Sequence, residues 1–193
     1  MNPLRILIVG LALNVFNFGG RWWALIPHVI GAILLIEASR RLADDSPRFA
    51  ALRWIVFAQV AGTVGMFSAA MYRDAGEGGS SWISVASGLF MLVLVAIHLS
   101  MAYLVCRGIA DLAARNWLPQ LERQAMGRWR FYWMGFVVVM ALSFGGLAIT
   151  RTGRFSPVPM VVATALAFAV WIVLLSLVWR AGTLLRDRLA LRL

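Results

Sequence analysis

The chain has 193 residues, 62% of them hydrophobic and 13% charged, with a mean hydropathy of +0.82. Soluble domains run at about 45–50% apolar and about 25% charged residues, so these figures exclude an ordinary soluble fold, and intrinsic disorder with it. The net charge of +10 comes from 18 arginines and no lysine. They gather in short segments beside apolar runs, as the loop charges of a membrane protein do, which argues against nucleic acid as a partner.

A helix needs roughly 20 apolar residues to cross a bilayer. Six runs qualify or nearly do: 4–18, 22–36, 54–71, 82–106, 131–150 and 158–179. They predict an all-α, polytopic transmembrane bundle forming one domain over 1–193, surrounded by the lipid bilayer. The first two runs are short and joined by Gly19-Gly20-Arg21, which reads as a tilted helical hairpin. Arg5 followed by the apolar stretch 6–15 also has the layout of a signal peptide, although no A-x-A-like site follows.

Orientation follows from the arginines, which stay on the cytoplasmic side of span ends. With the N-terminus inside, fourteen are cytoplasmic and only Arg21, Arg73, Arg151 and Arg154 lie outside, which predicts both termini in the cytoplasm of a multi-pass cell-membrane protein. Trp22, Trp23, Tyr72 and Trp82 make an outer aromatic belt; Trp54, Tyr103, Trp129, Tyr132, Trp133 and Trp179 make an inner one. Trp171 sits deep in the last span, and Trp117 falls in a cytoplasmic loop. Every external connection is short; the longest, 72–81, is glycine-rich.

Of the cytoplasmic segments, 107–130 is the most structured. Arg107 to Arg115 continues the fourth helix, with Asp111 four residues from both arginines, the spacing at which side chains meet. Pro119 interrupts it. Leu121, Ala125 and Trp129 then recur every four residues beside Glu122, Arg123 and Arg130, the pattern of a helix lying at the interface. Glu37 has Arg40 and Arg41 at i+3 and i+4 to neutralise it.

Polar residues inside spans are costly and therefore the first place to seek function. The candidates are Asn14 and Asn17 in the first span, His28 in the second, Gln59 and Thr63 in the third and His98 in the fourth. Counted along the apolar runs at about 1.5 Å per residue, they fall into two layers, Asn14 and His28 roughly 9 Å from the outer ends, Gln59 and His98 roughly 9–12 Å from the inner ends. Two histidines on one haem iron need nearly the same depth, so this spacing argues against a shared cofactor. The expected partners are Asn14 for His28 and Gln59 for His98, with a polar cavity or proton path as the alternative.

Catalytic and cofactor motifs are missing. There is no HExxH, GxSxG, EF-hand loop or GxGxxG, and Cys106 stands alone, which excludes an internal disulfide and a multi-cysteine metal site. No cofactor and no metal are expected. Packing signals are stronger: Ala61, Gly65 and Ala69 repeat every four residues along the third span, a small-residue face that holds either the bundle together or a partner to it.

The stretch Ile26-Pro27-His28-Val29-Ile30-Gly31-Ala32-Ile33-Leu34 resembles a group of small uncharacterised membrane proteins of Gram-positive bacteria, marked by an LPDFIGYIL-like string. Leu42, Ser46, Phe49 and Ala51 match the group's following L…S…F…A pattern. Gly108-Ile109 and Leu112-Ala113, within 103–114, look like its Y…GI..LA segment. His28 stands where the group has Asp, so no role for that acid carries over. The resemblance implies a topology rather than an activity.

Three functional classes remain as expectations. The first is a non-enzymatic membrane subunit or assembly partner of another membrane protein or of itself. The second is a small-solute transporter component, similar to an energy-coupling-factor binding subunit in size but without that subunit's Ala-xxx-Ala face in the first helix. The third is a lipid-modifying enzyme with His98 as base, lacking a partner acid.

Overall fold

The computed structural model describes residues 2–15, 25–74, 81–151 and 158–185. Among these there are six helices and no strand: α1 (Pro3–Val15), α2 (Leu25–Leu42), α3 (Pro47–Asp74), α4 (Ser81–Arg115), α5 (Pro119–Arg151) and α6 (Val158–Leu184). Asn17, the Gly19-Gly20-Arg21 link, Trp22, Trp23 and the glycines of the outer loop fall outside the described residues, as do the side chains of Ala69, Tyr72 and Trp82.

Proline places several of the boundaries. Pro3, Pro47 and Pro119 each stand at the first helical position, where the missing N–H costs nothing and φ is already helical. Pro27 and Pro159 sit within the first turns of α2 and α6, before the i→i−4 ladder begins. The segment expected as a separate interfacial helix is instead the first part of α5, which runs unbroken from Pro119 to Arg151. Its Leu121 and Ala125 are buried in the core, and apolar burial against α4 and α6 outweighs flotation at the interface.

Consecutive helices pack on one another, and α1 packs back on α6, so the six close into a ring, with a lesser α4–α6 contact. One end of the ring is well defined by hydrogen bonds. Asn2 Nδ2 donates to the Gly182 carbonyl at 3.3 Å, bringing the first and last described turns together. Arg115 Nη1 donates to the Asp44 carbonyl at 3.4 Å, joining the α4–α5 corner to the α2–α3 corner. This is the arginine-rich end, and the core is concentrated toward it: Leu4, Leu42, Phe49, Leu52, Cys106, Ile109, Leu112, Leu177 and Ala181 are all essentially inaccessible.

Close approaches between helices are made at glycines. Where α1 meets α2, a Cβ on Gly10 would stand 2.9 Å from the Gly31 carbonyl oxygen, and one on Gly31 would stand 2.8 Å from that of Gly10. Gly135 of α5 receives the Val170 side chain of α6, and Gly108 of α4 receives the Phe49 ring of α3. Small residues therefore do the packing, but at positions other than the expected α3 stripe. Ala61 and Gly65 are exposed on the outside of the ring.

Large apolar side chains also face outward, among them Ile30, Ile33, Phe57, Val64, Leu92, Val138, Val161 and Ile172. Two helical segments among the described residues are long and apolar enough to cross a membrane, Leu92–Arg115 and Val161–Leu184. Pro3–Asn14 is apolar but shorter. Charges explain part of the difference, since Glu37, Arg40 and Arg41 shorten the apolar part of α2. Of the six aromatics expected in the inner belt, Trp54, Trp133 and Trp179 are exposed, Tyr103 and Trp129 are half-buried against the core, and Tyr132 is 2% exposed and belongs to it.

Candidate functional site

Four of the candidate polar residues meet, though not in the expected pairs. Asn14 of α1 and Gln59 of α3 exchange two hydrogen bonds: Gln59 Nε2 donates to Asn14 Oδ1 at 3.1 Å, and Asn14 Nδ2 donates to Gln59 Oε1 at 3.4 Å. Thr63, one turn further along α3, donates to the Gln59 carbonyl at 2.9 Å and lies 3.1 Å from His28 Nε2. Asn14, His28 and Gln59 are all buried. His28 Nδ1 is also buried and has no hydrogen-bond partner; the Asn14 main chain is an electrostatic neighbour outside hydrogen-bonding geometry.

Two layers therefore become one, and helix length explains why. The helices run past their apolar stretches at the arginine-rich end, to Leu42 in α2, back to Pro47 in α3 and on to Arg115 in α4. Measured from those ends, Asn14 is 11 residues in, Gln59 12, His28 14, Thr63 16 and His98 17. At about 1.5 Å per residue they all lie roughly 16–26 Å deep. Counting from the edges of hydropathy gave depths in a frame that the helices do not share.

Counted from the same end, His98 stands 17 residues in and His28 14, so depth separates the two rings little. Direction separates them. The His98 ring packs edge-on against Trp171 at 4.9 Å between centroids, and Trp171 in turn meets Tyr132 at 6.0 Å and 88°. With Phe136, Val139, Ala167 and Val170 these residues line a cavity of about 60 Å³ between α4, α5 and α6. Sequence reasoning assigned Gln59 to His98, but the rotation of α4 about its axis points the imidazole toward α5 and α6. Among the described residues no three His, Cys, Asp or Glu side chains come together.

At the arginine-rich end, the local sequence pattern predicted one ion pair correctly and one incorrectly. Arg41 Nε meets Glu37 Oε1 at 2.7 Å across one helical turn. Asp111 accepts a hydrogen bond from Ser46 Oγ at 2.6 Å. Arg107 Nη1 points to Met126 Sδ at 3.5 Å, and its buried Nε has no partner. Ser46 sits fully buried at the α2–α3 corner and outcompetes the arginines for the carboxylate, since a hydroxyl held by the fold has little freedom to lose. Phe49 and Gly108, named separately in the sequence, meet here beside the Ser46–Asp111 bond, and Ile109 and Leu112 are buried in the same core.

The α4–α5 corner carries a feature that sequence reasoning missed. Trp117 N donates to the Ala114 carbonyl and Leu118 N to the Ala113 carbonyl, at 3.2 and 2.9 Å, the paired bonds of a Schellman cap. The residue at the left-handed position of such a cap is usually glycine, but here it is Trp117, with φ 57°. Its side chain is 88% exposed. The only available signal was the tryptophan two residues before Pro119, which does not by itself reveal the backbone conformation.

Comparison with known proteins yields no match: no protein family, no curated protein and no solved structure aligns significantly with the chain.

Proposed function

We propose that this chain is a non-enzymatic integral protein of the cell membrane, crossing it six times with both termini in the cytoplasm, that works by assembling with another membrane protein or with a second copy of itself. The observation that carries the reading is the outer face of α3. Trp54, Phe57, Ala58, Ala61, Val64, Gly65 and Ser68 are exposed at successive i+3 and i+4 steps, a stripe in which small residues form a groove between larger ones. In lipid, such faces bring helix backbones close enough for dispersion contacts to hold them. The buried polar groups support the same reading, because Asn14 and Gln59 are used on each other. The meeting of Asn2 with Gly182 and the fourteen-to-four arginine split support a common side for both termini.

Cysteine cross-linking in native membranes tests the assembly. Ala61→Cys and Gly65→Cys should give adducts of one discrete mass, and Gly65→Leu should abolish the assembled species while leaving the monomer's melting temperature unchanged. An α3 face that gives no adduct, and an assembly indifferent to Gly65→Leu, would mean that the stripe faces lipid alone.

A small-solute transporter component is the second reading. It is favoured by the grouping of Asn14, His28, Gln59 and Thr63, a polar cluster between α1, α2 and α3 that suits the passage of a proton or solute. Uptake by proteoliposomes that is lost in His28→Gln would favour this reading over the first.

A further inference from the structure

At the arginine-rich end, a pocket of about 280 Å³ opens between the α4–α5 corner and the last turn of α6. Its walls are mainly apolar, with Leu118, Leu121 and Leu184. Three features of it are unexplained by the packing of the chain. Arg180, exposed at the rim, has no side-chain hydrogen bond or ion pair among the described residues. Gln124, on the α5 wall, has its Oε1 buried and without a donor. Trp117 overhangs the pocket from a left-handed backbone conformation that glycine would adopt without strain, and holds its ring outward.

Each feature asks for a different part of a ligand. A free guanidinium at a rim selects an anion, and phosphate oxygens match its fork of donors. A buried carboxamide oxygen without a partner asks for a hydroxyl or N–H donor. Leucine walls take hydrocarbon. The single chemistry that meets all three is an anionic phospholipid with a hydroxyl-bearing headgroup. We propose that this pocket binds the headgroup of such a lipid, its phosphate on Arg180, its hydroxyl on the Gln124 amide as that side chain turns its buried Oε1 toward the pocket, and the start of an acyl chain along the leucines. Trp117 lines the pocket, and Trp179, next to Arg180 in the chain, is also exposed at this end, as tryptophans are at headgroup depth. The proposal rests on the membrane reading above, with this end of the bundle at the inner leaflet, where anionic lipids attract arginine.

The test is lipid binding by the full chain in detergent, read by native mass spectrometry and by the shift in melting temperature. Phosphatidylglycerol should bind and stabilise, and phosphatidylcholine should not. Arg180→Gln should weaken phosphatidylglycerol binding by roughly tenfold or more, as the loss of one charge-assisted hydrogen bond implies. Gln124→Leu should weaken it less, and Arg123→Gln, an exposed arginine outside the pocket, should not. Equal effects of Arg180→Gln and Arg123→Gln would reduce the interaction to diffuse charge and overturn the site. Glycerol phosphate binding as well as the lipid would overturn the lipid as its occupant. Binding that appears only after residues 186–193 are removed would make the chain's own tail the occupant. A chain that needs detergent yet fails these assays refutes the pocket alone, whereas a chain recovered without detergent refutes the membrane reading.

Discussion

The ring of Phe49 occupies the space that a side chain at Gly108 would need: a Cβ there would stand 2.6 Å from Cζ and 2.7 Å from Cε2. The ring is fully buried, and the Ser46–Asp111 hydrogen bond ties the α2–α3 corner, just before α3, to the same helix α4. Gly108→Ala should therefore displace the ring and destabilise the protein by about 1–3 kcal/mol, the usual effect of overpacking. Pairing it with Phe49→Leu should recover part of that loss. Unfolding in mixed detergent and dodecyl sulfate measures both, and an unchanged Gly108→Ala protein would show that the ring has room to move.

The Asn14–Gln59 exchange predicts a coupling energy. Asn14→Leu and Gln59→Leu each strand one amide in a buried setting, so the double variant should be more stable than the sum of the single losses indicates. Interhelical hydrogen bonds of this kind average about 0.6 kcal/mol and reach about 1.7 kcal/mol in membrane proteins. A double-mutant cycle giving zero would mean that the amides are independent, and would remove the cross-link between α1 and α3.

Trp117 predicts a stabilising substitution. A side chain in the left-handed region costs about 1–2 kcal/mol relative to glycine, and glycine is the preferred residue at this position of the cap. Trp117→Gly should raise the unfolding free energy by about 1 kcal/mol in detergent without added phospholipid. A loss of stability instead would show that the exposed ring contributes contacts within the folded chain.

Topology is checked by reporters. With both termini in the cytoplasm, a reporter active only outside the cell should be silent when fused after Leu193 and active when placed in the segment 75–80. Activity of the C-terminal fusion would reverse the orientation or change the number of crossings.

The sequence by itself determined the helical class and one helix end, at Arg115, whereas α3 and α5 begin at Pro47 and Pro119, well before the apolar runs at 54 and 131. Hydropathy acts locally, and Arg115 ends its helix wherever that helix finally packs. The Glu37–Arg41 pair was legible for the same reason, because i,i+4 geometry belongs to one helix. Depth was not local. Where Asn14 stands relative to Gln59 depends on how far each helix runs past its apolar stretch, and that length is fixed by the corners the helices share with their neighbours. Rotation was not local either: it turned His98 to Trp171, left Gly65 on the outside, and brought Gly10 against Gly31. In water the rotation of a helix is legible in its residues, because the face that meets solvent is polar and the face that meets the core is apolar. In a bundle with apolar side chains both inside and outside, that difference between the faces vanishes from the sequence, and only the fit of one helix against the next decides which face turns inward.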